Sequence, residues 1–203
     1  MNFEYTDPQT PMERLFGGHC SINALGRIEP GDGERFATFL QRTAPPPITC
    51  VYLNTSGGSV HDGIQIGRLI RHFGLSTSVG SYLLQPPQED DIMSRREFRS
   101  GLCASSGSLA FLGGRFRDCQ NGSEFRVHRF FLQGSTDEVL GPAQQTSAAI
   151  ARYLVDMGID LRLMQISADL HHAETRNLTV SELAELAPCS AWHERSRVDH
   201  RVA

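Results

Sequence analysis

The sequence predicts an α/β fold with parallel strands, and three observations carry the prediction. Short β-branched apolar runs alternate with amphipathic helical stretches. The segment from Ile48 to Val79 reads strand, glycine turn, helix, strand. The composition, 39% apolar and 21% charged over 203 residues, lies in the ordinary globular range. A strand–helix–strand unit implies a parallel pair with a crossover helix. The length suits one domain, 1–203, with its core at about 19–188, and no internal repeat is visible.

The opening strand is His19 to Ile28, closed by the turn residues Glu29-Pro30-Gly31-Asp32-Gly33. Phe36, Phe39 and Leu40 then fall at helical spacing within Glu34 to Gln41. Pro45-Pro46-Pro47 stops that helix, because proline removes a backbone donor and disfavours α geometry in the residue before it. Ile48 to Leu53 is a short buried strand. After Asn54-Thr55-Ser56-Gly57-Gly58-Ser59, a helix runs from about Val60 to Phe73, with Val60, Ile64, Gly67 and Ile70 as its apolar stripe. Gly74 caps it, and Leu75 to Val79 resumes as strand.

Ser81 to Gly101 breaks the alternation with Pro86-Pro87, the run Glu89-Asp90-Asp91, and Arg95-Arg96-Glu97, and reads as a surface insertion or lid controlling access to a site. Cys103 to Leu112 reads as a buried helix whose first turn is crowded with small residues, closed by Gly113-Gly114. Arg115 to Cys119 and Glu124 to Phe131 are strands around the turn Gln120-Asn121-Gly122. The last third is helical. Pro142 takes the first position of a helix carrying Ile150, Tyr153, Leu154 and Met157 and ending at Gly158. Asp160 caps a second helix to about Ala168, and Thr179-Val180-Ser181-Glu182 is the capping box of a third. A polar tail, 189–203, ends the chain.

A net charge of −4 and a pI near 6.0 exclude a generally basic, nucleic-acid-coating surface. No apolar run approaches the length of a membrane helix, and the opening MNFEYTDPQTPMERLF has no secretory apolar core, so a cytoplasmic location is expected, a periplasmic one only after removal of a signal. All 19 Lys-plus-Arg residues are arginine. Without lysine there is no Schiff base, no Walker phosphate lysine and no Ser–Lys dyad. The five cysteines form no C-x-x-C pair and read as reduced thiols; Cys189, His193 and His200 match no standard metal spacing. Neither metal nor cofactor is expected.

Two turns can hold chemistry. Gly57-Gly58 is neither a dinucleotide fingerprint nor a Walker loop. Adjacent glycines do permit close backbone approach and exposed N–H groups beside a helix start, which suits an oxyanion or a peptide strand, the plain alternative being a tight turn. Ser105, in Cys103-Ala104-Ser105-Ser106-Gly107, is either a helix N-cap or a nucleophile with the N–H groups of Ser106 and Gly57 around its oxyanion. A serine nucleophile needs a base, and His128 in the strand Phe125-Arg126-Val127-His128-Arg129-Phe130 is the first candidate, ahead of a solvent-facing His61.

These strings together resemble a known family. Leu53-Asn54-Thr55-Ser56-Gly57-Gly58-Ser59-Val60 is similar to the I-N-S-P-G-G oxyanion turn of the Clp protease proteolytic subunit, Cys103-Ala104-Ser105-Ser106-Gly107 to its A-A-S-M-G nucleophile turn, and Val127-His128 to its I-H base. Leu25-Gly26-Arg27-Ile28 resembles the family's first G-x-I strand, and the match runs from about Leu25 to Leu186. Phe111-Leu112-Gly113-Gly114 and Val127-His128-Arg129-Phe130 resemble more closely the uncharacterised bacterial Clp-protease-like proteins, with Gly107 in place of their second cysteine.

The resemblance implies a Clp protease/crotonase-like spiral of ββα units with a helical C-terminal part. It also implies a serine peptidase using Ser105, His128 and an oxyanion hole of Gly57 and Ser106, with Gly57, Gly58 and Ser106 binding substrate, acting on peptide or protein substrates as a homo-oligomer; an unfoldase partner is left open. The family's triad aspartate falls on Thr175, with Glu174 adjacent and Asp169 shortly before, so Glu174 or Asp169 is the expected third member, or the site runs as a dyad or is inactive. A non-catalytic peptide-binding or scaffold relative and a crotonase-like acyl-CoA enzyme are the alternatives.

Overall fold

The computed structural model describes residues 1–15, 20–86, 91–120, 122–129, 136–171 and 174–188, with only the backbone described over 136–140. Along the chain come β1 (Asn2–Thr6), α1 (Pro11–Leu15), β2 (Ser21–Leu25), α2 (Asp32–Thr43), β3 (Cys50–Asn54), α3 (Val60–His72), β4 (Ser76–Val79), β5 (Ser81–Leu84) and β6 (Arg96–Arg99). There follow β7 (Leu102–Ala104), α4 (Ser106–Leu112), β8 (Arg117–Asp118), β9 (Glu124–Val127), α5 (Thr136–Asp156), α6 (Arg162–Ala168), β10 (Arg176–Leu178) and α7 (Val180–Leu186). The architecture is mixed α/β.

The largest sheet runs β1-β2-β3-β4-β8, with β1 antiparallel at its edge and the rest parallel. The predicted βαβ unit is β3–α3–β4, in register from Cys50↔Ser76 to Leu53↔Val79. One face of this sheet (Ile22, Ala24, Val51, Leu53, Val79) joins a single buried core with Phe36 and Leu40 of α2, Ile66 and Ile70 of α3, and Leu109 to Leu112 of α4. Period-2 burial along β3 is what apolar positions alternating with polar ones require. A second sheet, β10-β9-β7, has β7 parallel to β9 and β10 antiparallel. The bridge Ile28↔Gly58 extends the pairing beyond β2 and β3, and Thr55↔Cys103 ties the end of β3 to β7 of the second sheet.

Close backbone approach sets how α3 meets α4. A Cβ at Gly63 would lie 2.5 Å from Ser106 O, and one at Gly113 would lie 2.1 Å from Gly67 O. Only glycine fits at these crossings.

Several expectations need correcting. Ile48 is outside the strand, exposed and at φ 71, with its N–H on Gly74 O. Cys103 and Ala104 belong to strand β7 rather than to the helix, drawn into the ladder by β9. β8 and β9 do not form a hairpin: Thr77 N–H to Phe116 O and Arg115 N–H to Leu75 O commit β8 to β4, while Phe125 and Val127 bury against the β7 side. α5 begins at Thr136, so Pro142 is inside the helix, at an exposed position where water can satisfy the carbonyl it leaves unbonded.

The segment 81–101 holds the hairpin β5–β6, laid over the polar face of the large sheet. The Asn23 amide exchanges hydrogen bonds of 3.0 and 2.9 Å with the Tyr82 backbone, and Tyr82 stacks on Tyr52. The Thr179–Glu182 capping box is present as expected, and the Asp160 carboxylate accepts from Arg162 N–H. No helix among the described residues is long and apolar enough to cross a membrane, and no group of three potential metal ligands occurs among them. Cys189, His193 and His200 lie outside the described residues.

Candidate active site

Ser105 and His128 leave the C-terminal ends of neighbouring parallel strands, β7 and β9, whose register pairs Ala104 with Arg126. Both line one mostly apolar cavity of about 20 Å³, walled by Leu109, Leu112, Ile150 and Leu154. That volume holds about one water-sized body. Ser108 Oγ donates to Arg126 O over 2.8 Å and so pins the first turn of α4 to β9.

Ser105 sits at φ 58, ψ −126, where a type II′ turn places glycine. Its side chain makes no capping hydrogen bond, so the N-cap role does not account for a strained serine here. Cys103, two residues earlier, is fully buried, and burial pushes its thiol up, away from the nucleophilic thiolate. The accessible nucleophile of this turn is the hydroxyl.

The glycine turn packs directly on Ser105. A Cβ on Gly57 would lie 2.5 Å from Ser105 Cβ and 3.1 Å from its Oγ. The Gly57 amide, expected as an oxyanion donor, donates to Thr55 Oγ1 over 3.0 Å. The Gly58 N–H has no acceptor among the described residues. Ser106 and Gly107 open α4, where first-turn N–H groups have no intrahelical partner. The open backbone donors of the two turns are therefore Gly58, which follows the glycine packed on Ser105, and Ser106 and Gly107, which follow Ser105 itself. Gly107 carries no side chain for a steric reason: a Cβ there would meet Thr55 Cγ2 at 2.4 Å.

The His128 ring is half-buried, and its Nδ1 lies 2.6 Å from Arg129 O. A carbonyl has no hydrogen to give, so Nδ1 carries the proton and Nε2 keeps the lone pair a general base needs. Arg129 in turn donates through its guanidinium to Ala168 O at the end of α6.

Asp169 and Glu174, expected as the third member, are both exposed, and neither lines the cavity. The Glu174 carboxylate accepts from His171 N–H instead. The β10–β9 register pairs Arg176 with Val127; carried one step further it sets Thr175, not an acid, opposite His128. His61 is exposed on α3, as expected, and does not line the cavity.

Reading the sequence missed Asp62. It lies in Ser59-x-x-Asp62, the spacing of a capping box, which was the available signal. The Arg129 carbonyl had none, since backbone groups are invisible to residue type. No family model matches the chain, and no curated protein matches it.

Proposed function

We propose that this protein is a serine hydrolase acting on peptides, with Ser105 as nucleophile, His128 as general base, and the amides of Gly58, Ser106 and Gly107 as oxyanion donors. The observation that carries the reading is a strained, uncapped serine sharing a cavity with a histidine whose Nδ1 proton is already placed. His128 Nε2 takes the Ser105 proton as Oγ attacks the carbonyl; the imidazolium then returns it to the leaving amine, and water repeats the cycle on the acyl-enzyme. The developing oxyanion is met by backbone dipoles that need no reorganisation.

The order of the motifs and the contact between their two turns support a Clp protease/crotonase-like spiral, with a homo-oligomer as its working form. The small apolar cavity suits a small apolar side chain next to the scissile carbonyl, and an extended peptide would add as a strand beside the glycine turn. The unpaired thiols of Cys20, Cys50, Cys103 and Cys119 fit a reducing compartment such as the cytoplasm.

The test is labelling by an alkyl fluorophosphonate. Wild type is expected to label at Ser105 and Ser105→Ala to lose the label; label retained in Ser105→Ala overturns the assignment. A second reading, a non-catalytic peptide binder, is favoured by the want of a carboxylate among the cavity-lining residues. An unreactive Ser105 with specific peptide binding that survives His128→Ala selects it.

A further inference from the structure

Asp62 stands outside the Ser105–His128 pair, yet it is wired to the turn that packs on Ser105. Its side chain is 4% exposed. Oδ1 accepts from the N–H groups of Gly31 at 2.9 Å and Gly33 at 3.0 Å, and Oδ2 accepts from Ser59 Oγ. An ordinary capping box would turn this carboxylate back onto the Ser59 amide. Here the Ser59 N–H is already spent on Ile28 O at 2.9 Å, so the carboxylate reaches across to the start of α2.

The result is a closed circuit. Asp62 holds Gly31; the chain runs back three residues to Ile28; Ile28 O accepts from Ser59 N–H; and Ser59 Oγ returns to Asp62. Ile28 N–H donates to Gly57 O at 2.9 Å, so the glycine turn hangs on the same circuit. Gly58 is pressed so close to Ile28 that a Cβ would lie 2.0 Å from Ile28 O. Burial pushes the Asp62 carboxyl up, but the Ser59 hydroxyl, the Gly33 and Gly31 amides and neighbouring His61 outweigh it and hold it below the ordinary value. It is a carboxylate with each oxygen engaged, and it does not line the cavity of Ser105 and His128.

We infer that Asp62 is a positioning residue for the Gly58 amide: it locks the Gly57-Gly58 turn to Ile28 and thereby fixes the oxyanion donor against Ser105. The inference rests on the hydrolase reading for its consequence, but its geometry can be tested without it. An ångström of misplacement, or loss of one oxyanion donor, costs about 100-fold in rate.

The experiment compares wild type, Asp62→Asn, Asp62→Ala and Ser59→Ala. It measures fluorophosphonate labelling rate, the kcat and KM of p-nitrophenyl acetate hydrolysis, thermal midpoint, and amide hydrogen exchange at Ile28 and Ser59 by NMR. Asp62→Ala is expected to label about 100-fold more slowly, with the loss in kcat rather than KM and with faster exchange at both amides. Asp62→Asn keeps one carbonyl acceptor for Gly31 and Gly33 and is expected to recover most of the rate. Ser59→Ala opens only one arm and serves if Asp62→Ala does not fold. A folded Asp62→Ala or Ser59→Ala with wild-type kcat and wild-type exchange overturns the inference. Should wild type itself fail to react, the hydrolase reading falls, and the exchange data alone decide Asp62: faster exchange in the variants upholds the clamp, unchanged exchange ends it.

Discussion

Ser105 occupies backbone angles that cost a non-glycine residue about 2 kcal/mol, and no capping hydrogen bond offsets that cost. Strain of this kind separates chemistry from stability. Ser105→Gly is expected to raise the unfolding free energy by about 1 kcal/mol while abolishing fluorophosphonate labelling. Ser105→Ala should abolish labelling with no such gain, as read by denaturant unfolding. The histidine gives a second pair of outcomes. With Nδ1 on the Arg129 carbonyl and exposed carboxylates at 169 and 174, Asp169→Ala and Glu174→Ala should leave the labelling rate within about twofold. Thr175→Asp, opposite His128 by register, should raise it about tenfold or more, since an orienting acid is worth up to about 10⁴ in kcat. That Ser105 and His128 line one cavity follows from residues whose type and order are in the sequence; that the Gly57 amide is taken by Thr55 is not legible there, because it hinges on where the Thr55 hydroxyl turns.

The hairpin β5–β6 and the short helix α1 are far apart in the chain and meet through one carboxylate. Glu13, 3% exposed, accepts from the Ser94 hydroxyl and amide and from the Gln9 and Thr10 amides. The Ser94 hydroxyl bond, helped by those amides and opposed by burial, lowers its pKa from 4.5 to about 2. A depressed carboxylate contributes stability above its unfolded value and loses it as pH falls through the folded one. The wild-type thermal midpoint should therefore drop between pH 4.5 and about 2, and Glu13→Gln, lower at neutral pH, should show a shallower drop across that window. Helix caps and glycine stops were readable in sequence because they are local: the Thr179–Glu182 box, Gly74 and Gly158 all fall where expected. Strand partners were not. The turn ending in Gly122 suggests a hairpin, but β8 finds β4 and β9 finds β7.

Taken whole, the large sheet separates two environments. One face packs on α2, α3 and α4; the other carries Asn23 and Tyr52 and is roofed by the hairpin. The cavity with Ser105 and His128 lies among α4, α5 and α6, and no described residue of 81–101 lines it. The described part of the expected insertion or lid covers the opposite face. Replacing 86–93 by a short glycine turn should leave the labelling rate and its preference for substrate size unchanged while lowering the thermal midpoint. A changed size preference would restore the lid.

What residue order settles here is local and periodic: the α/β alternation, the βαβ unit from Cys50 to Val79, the helix stops and the two glycine-and-serine turns. Those features depend on dihedral preferences and on apolar spacing within a few residues. That Asp62 fastens one turn to another depends on a hydrogen bond between residues 31 apart, from Gly31 N–H to Asp62, and the bonds of Gly57 to Thr55 and of His128 to Arg129, though between near neighbours, depend on side-chain directions that residue type leaves open. Folding decides such bonds, because each buried donor takes the nearest acceptor that packing brings to it.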